Sequence, residues 1–196
     1  MEDLVIITDI HGNLGNTQRV LDLYPKSQII CLGDITNLWD ENVTQEHQTI
    51  IKFFAQKEIP CVIGNHDIHV FQNPQTYGID DESIRFLYQL PVGLTLKTSN
   101  NLNFAFFHHK PHDFWGHCDI TKMTYEEFCL SYDAEKDNLD MVFIGHLHKP
   151  YTLRFSGKNK AIVSVGALKD GWYAVYKDGI IEHKKLIEGS DLVSNH

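Results

Sequence analysis

The chain has 196 residues, 42% of them hydrophobic and 22% charged, a balance suited to one sizeable globular core and not to a disordered polymer. Its 26 acidic against 17 basic side chains give a formal net charge of −9, which argues against a broad nucleic-acid-binding surface. No apolar run approaches the roughly 20 residues that span a bilayer, and acids follow Met1 where a secretory leader would be basic, so a cytoplasmic protein with no membrane partner is expected.

In chain order, apolar runs rich in β-branched residues recur at Leu4–Thr8, Gln28–Leu32, Cys61–Ile63, Asn103–Phe107 and Met141–Ile144, each short enough to be a buried strand. Between them lie helical patterns. Asn13 can cap a helix through about Tyr24 with Val20, Leu21 and Tyr24 on one face, and Thr44 can cap another with Ile50, Ile51 and Phe54 inward. Asp80 or Asp81 opens a shorter one carrying Ile84, Leu87 and Tyr88. The alternation in the first half predicts right-handed βαβ units and a largely parallel sheet. Residues 111–138 predict a loop and then a helix near the site, with Thr124-x-x-Glu127 as a capping box. Beyond them, Tyr151–Phe155, Ala161–Val165, Trp172–Tyr176 and Ile180–Leu186 read as a meander closed by an Asp178-Gly179 hairpin turn. A single domain over 1–188 with a tail at 189–196 accommodates all of this. Cys31, Cys61, Cys118 and Cys129 form no C-x-x-C pair, and the first two lie in apolar runs, so they read as reduced, structural thiols.

The residues that can carry chemistry stand directly after the apolar runs: Asp9-Ile-His11, Gly33-Asp34, Gly64-Asn-His-Asp67, His108-His109 and Gly145-His-Leu-His148. Open α/β sheets bind ligands at the carboxyl ends of their strands, so five such ends meeting at one point describe an active site. On an extended chain residues i and i+2 share a face, so Asp9 with His11, and His146 with His148, would each grip from one side. Oxygen and imidazole donors without cysteine suit Mn²⁺, Fe, Zn²⁺, Ni²⁺, Co²⁺ or Mg²⁺, and seven donors exceed the needs of one ion. Two divalent ions would bring positive charge to one cleft, so an acidic chain can still take a phosphate. The helix after Asn13 follows Asp9 and His11 at once, and its first amides could face that phosphate. His47, His69, His183 and His196 come after no such run and are left without a role.

This ordered set, D-x-H, G-D, G-N-H-D/E, H and G-H-x-H from Asp9 to His148, resembles the calcineurin-like metallophosphoesterases, and the short chain looks most like their compact bacterial and archaeal phosphodiesterases. The resemblance implies an α/β fold, a four-layer αββα sandwich of two mixed β-sheets flanked by helices. It implies that Asp9, His11 and His148 hold one metal, Asn65, His108 and His146 the other, with Asp34 bridging; Mn²⁺ is the expected ion. His66 would be the catalytic acid, with Asp67 orienting its ring, while a metal-bound hydroxide attacks phosphorus in line. His108 is chosen over His109 because His108-His109-Lys110-Pro111 keeps the proline of the family's His-Gly-x-Pro; the side chain at 109 departs from it and would crowd the mouth or touch substrate. No arginine soon follows Gly33-Asp34, as it usually does in the Ser/Thr phosphatases and dinucleoside tetraphosphatases, which weakens both of those readings. The expected substrate is a small phosphate ester, a nucleotide being one candidate, and the alternative is a protein-binding scaffold on the same fold. A nuclease is disfavoured by the acidic surface. His112, Asp113, Trp115, His117 and Lys110 are candidate pocket residues.

Overall fold

The computed structural model describes residues 3–38, 44–111, 113 and 119–187. Its elements are β1 (Leu4–Ile7), α1 (Leu14–Leu23), β2 (Gln28–Cys31), α2 (Thr44–Lys57), α3 (Asn65–Gln72), α4 (Pro74–Tyr77), α5 (Asp81–Gln89), β3 (Gly93–Lys97), β4 (Asn103–Phe107), α6 (Tyr125–Tyr132), β5 (Met141–Ile144), β6 (Tyr151–Phe155), β7 (Lys160–Ser164), β8 (Trp172–Lys177) and β9 (Ile180–Lys185). Two mixed sheets result. One has the order β2-β1-β8-β9 and the other β3-β4-β5-β7-β6. No helix among the described residues is long and apolar enough to cross a membrane.

Strand alternation explains the layers. Val5 and Ile7 face a helical layer that supplies Val20, Ile50, Ile51, Phe54, Val70 and Leu87. Leu4 and Ile6 face the opposite way, into a core between the sheets with Ile30, Phe104, Phe106, Phe143 and Val163. On the second sheet the other set, Ala105, Val142, Ile144 and Ile162, meets Phe128 and Tyr132 of α6. Helices, sheet, sheet and helix stack as the four expected layers.

Local chemistry sets several boundaries. The Asn13 side chain accepts from the Asn16 amide to start α1, and the Thr124 and Glu127 side chains complete the capping box of α6. Asp80 caps α5 through the Ser83 amide. Thr44 is the first helical residue of α2 and not its cap. In α5 Leu87 is buried, whereas Tyr88 is 75% exposed and stacks edge-on against Phe71, because one step along the helix carries it off the inner face.

Three expectations are corrected. Residues 61–63 form no strand; Cys61 makes a single parallel bridge to Cys31, since the chain turns at Gly64 into α3. The largely parallel first-half sheet reduces to the β1-α1-β2 unit, whose strands pair in parallel while β8 joins β1 antiparallel. The meander is split: β6 and β7 form a hairpin in one sheet, where β7 also runs parallel to β5, and β8 and β9 form a hairpin in the other. Its Asp178-Gly179 turn stands as expected, with φ 50° and 87°. The helix expected within 111–138 is α6, the outer layer on the second sheet, where Phe128 and Tyr132 find apolar partners. Cys31, Cys61 and Cys129 are free thiols. His112, Trp115, His117, Cys118, His196 and the 189–196 tail lie outside the described residues.

Candidate metal centre

The ends of β1, β2, β4 and β5, together with the first turn of α3, bring all seven candidate donors to one place. In one group Asp9 Oδ1 lies 3.1 Å from His148 Nε2, which is 3.1 Å from His11 Nε2. In the other, Asn65 Oδ1 lies 2.9 Å from both His108 Nε2 and His146 Nδ1. Asp34 Oδ2 stands between them, 3.3 Å from His108 Nε2 and 4.0 Å from His11 Nε2.

Metal bonds of about 2.0–2.2 Å meeting near right angles put neighbouring donors about 3 Å apart. The spacing fits divalent ions. Burial fits too, since Asp9, Asp34 and His108 are at most 1% exposed and have otherwise only a few fixed partners for their charge.

The backbone that achieves this is not the extended chain expected from i, i+2 spacing. Asp9, His11, Asp34, His146 and His148 all have positive φ, between 47° and 64°, a conformation uncommon for residues with a Cβ. β1, β2 and β5 therefore each end in a sharp turn at a donor. His146 and His148 consequently point into different groups instead of gripping together. Gly33 and Gly64 permit the close approach of two such turns, since a Cβ on Gly33 would lie 2.9 Å from Gly64 Cα.

Hydrogen bonds fix each side chain. The Leu32 carbonyl accepts from His108 Nδ1 at 2.8 Å, which turns His108 Nε2 toward Asn65 and Asp34. Burial disfavours charge on this ring, but Asp34 outweighs it and the pKa is pushed up to about 10. Burial dominates at His11 and His146, where the values fall to about 4 despite the nearby carboxylates. Asp34 is held far below the usual carboxylate range: burial opposes this, and the His108 charge and hydrogen bond prevail.

The Asp67 carboxylate bonds to the turn after β2 and the start of α3: its Oδ1 accepts from the Thr36 amide and hydroxyl and its Oδ2 from the Gly64 amide. It ties the turn after β2 to the start of α3, and burial, followed by the Asp34 charge, raises its pKa to about 6. His66 Nδ1 accepts from the Leu38 amide at 3.2 Å, and its Nε2 lies 3.9 Å from Asp34 Oδ2. The His66 amide also donates to Asp34 Oδ1.

His109 is 1% exposed, so it does not crowd the mouth; it donates from Nδ1 to the Asp113 carbonyl, and its ring packs 4.7 Å from that of His146. Lys110 pairs by backbone with Asp113. Thr8 and Thr36 carry no functional signal in the sequence, although Thr8 precedes Asp9 and Thr36 stands two residues past Asp34. The Leu32 carbonyl leaves no signal in a sequence at all.

Residues 3–175 match the calcineurin-like phosphoesterase superfamily domain. Among solved structures the chain is similar to a metallophosphoesterase from Sphaerobacter thermophilus, at 19% identity over 94% of this chain and 88% of that one, with TM-score 0.69. It is also similar to a protein from Pyrococcus horikoshii OT3, at 14% identity, 95% and 88% coverage and TM-score 0.71. A third is an archaeal phosphodiesterase, at 14% identity, 94% and 99% coverage and TM-score 0.58. No curated protein matches.

Proposed function

Because the chain belongs to the calcineurin-like phosphoesterase superfamily, and so is a phosphoric ester hydrolase, we propose that it cleaves a small phosphodiester at a two-ion centre. In this reading Asp9, His11 and His148 hold one ion, Asn65, His108 and His146 the other, and Asp34 serves both, all within one domain over 1–188. The observation that carries it is the placement of Asp34 Oδ2 between two groups of three donors. The diester preference draws on the likeness to the archaeal phosphodiesterase. Oxygen and imidazole donors suit Mn²⁺ well. When bound, two such ions would supply Lewis acidity for the attacking water and the phosphoryl oxygens.

The chain's own residues do the rest. Water attacks phosphorus opposite the leaving oxygen, the P–O bond to that oxygen breaks, and the proton given up by the attacking water returns through solvent to the alcohol that leaves. His66 serves the leaving oxygen. With Nδ1 accepting from Leu38, the neutral ring carries its proton on Nε2, and burial, against the pull of Asp34, keeps it neutral near pH 7. The role is therefore a fixed hydrogen-bond donor and not an imidazolium acid. Asp67 and Thr36 hold the turn from which Leu38 donates.

The test is turnover by metal-free protein supplied with Mn²⁺, using bis(p-nitrophenyl) phosphate and p-nitrophenyl phosphate. Metal-dependent hydrolysis favouring the diester is expected. No metal-dependent turnover of either ester sinks the enzyme reading and leaves the scaffold.

A further inference from the structure

Asp9 has two carboxylate oxygens, and the fold treats them differently. Oδ2 alone accepts from Thr8 Oγ1, at 2.8 Å, and the His146 amide is shared between Oδ2 at 3.0 Å and Oδ1 at 3.2 Å; Oδ1 is the oxygen that faces His148 and, at 3.9 Å, His11. Thr8 is wholly buried, and its hydroxyl donates to Asp9. The room for this contact comes from Gly145, where a Cβ would collide with Thr8 Oγ1 and lie 2.9 Å from Asp9 Oδ2. The Thr8 and Asp9 main chains are held separately, since their carbonyls accept from the Leu168 and Lys169 amides.

We propose that Thr8 is a positioning residue that reserves Asp9 Oδ2 and so presents Oδ1 alone to the ion held by Asp9, His11 and His148. The proposal rests on the two-ion reading above. Without the hydroxyl, only the His146 amide, which reaches both oxygens, still holds the Asp9 carboxylate, so it can turn about its Cβ–Cγ bond and offer the wrong oxygen or both. The effect is local, because the side chains of Asn65, His108 and His146 are held by one another and by the Leu32 carbonyl, and none of these contacts involves the Thr8 hydroxyl. Outer partners of this kind are worth about 10–100-fold in metal affinity.

The experiment is a calorimetric Mn²⁺ titration of metal-free native protein, Thr8→Val and Thr8→Ser, with a thermal melt of each metal-free protein. Native protein is expected to take up two ions. Thr8→Val should keep one affinity and lose about 10–100-fold at the other, Thr8→Ser should restore both, and the metal-free melts should not track this order. Should Thr8→Val fail to fold, Thr8→Ala, which removes the hydroxyl without adding a methyl, carries the same expectation. Two native affinities in the hydroxyl-free variant, or equal weakening of both, overturn the proposal alone. Native protein that takes up no ion overturns the two-ion reading and this proposal together.

Discussion

The two donor groups are unequal in how they are built. Around Asn65, His108 and His146 the central ring is wholly buried, tied to the Leu32 carbonyl, and charged in the metal-free protein through its proximity to Asp34. Around Asp9, His11 and His148 the His11 ring is neutral, its Nδ1 has no hydrogen-bond partner among the described residues, and the His148 side chain is 33% exposed. A donor fixed by a second hydrogen bond loses less freedom when an ion arrives. The buried group should therefore bind tightly and slowly, and the exposed group should exchange.

The largest expected effect removes the difference altogether. Asp34 faces both groups, so Asp34→Asn should lose both ions and lower kcat/KM by about 10³-fold or more, read by metal analysis alongside kinetics. A variant that retains two ions would deny Asp34 its shared role. Next, His66→Ala should keep both ions and lose roughly 10²–10⁴-fold in kcat if, as proposed, His66 belongs to neither donor group even though its Nε2 lies 3.9 Å from Asp34 Oδ2. An emptied site in that variant would make His66 a ligand.

His108→Ala should empty only the buried group and leave one ion, whereas His148→Ala should empty only the exposed one. Finally, the two groups should answer differently to pH. With its pKa near 10, His108 is protonated at pH 7, and an ion taking Nε2 must displace that proton. Uptake there should release about one proton and weaken by up to about tenfold per unit as pH falls. His11, at about 4, has no proton to release above roughly pH 5. Calorimetry in two buffers of different ionisation enthalpy measures the released proton directly, and no release at either site would remove the electrostatic distinction.

How much of the molecule is legible in the sequence depends on how each signal arises. The apolar runs at Leu4–Ile7 and Asn103–Phe107 identify buried strands, because both faces of those strands are apolar and each run is bounded by turns. The same signal fails at Cys61–Ile63, where three apolar residues are equally consistent with a buried segment entering a helix. Partition of the last four strands between two sheets is hidden because pairing is decided by distant partners, here β5 for β7 and β1 for β8. The donor set is legible, since residue type and order survive in the sequence. The left-handed backbone at five donors is not: aspartate and histidine tolerate it, but nothing in their order requires it. Asp67 escapes for a similar reason, because adjacency to His66 in the chain says nothing of the Thr36 partner that the β2 turn delivers.

The most direct test of the shared centre is electron paramagnetic resonance during Mn²⁺ titration of metal-free protein. Two ions bridged by one carboxylate, about 3.5–4 Å apart, should couple magnetically, so the signal should grow to a coupled two-ion spectrum at two equivalents per chain. Saturation at one equivalent, or two independent six-line signals, would contradict a centre joined by Asp34.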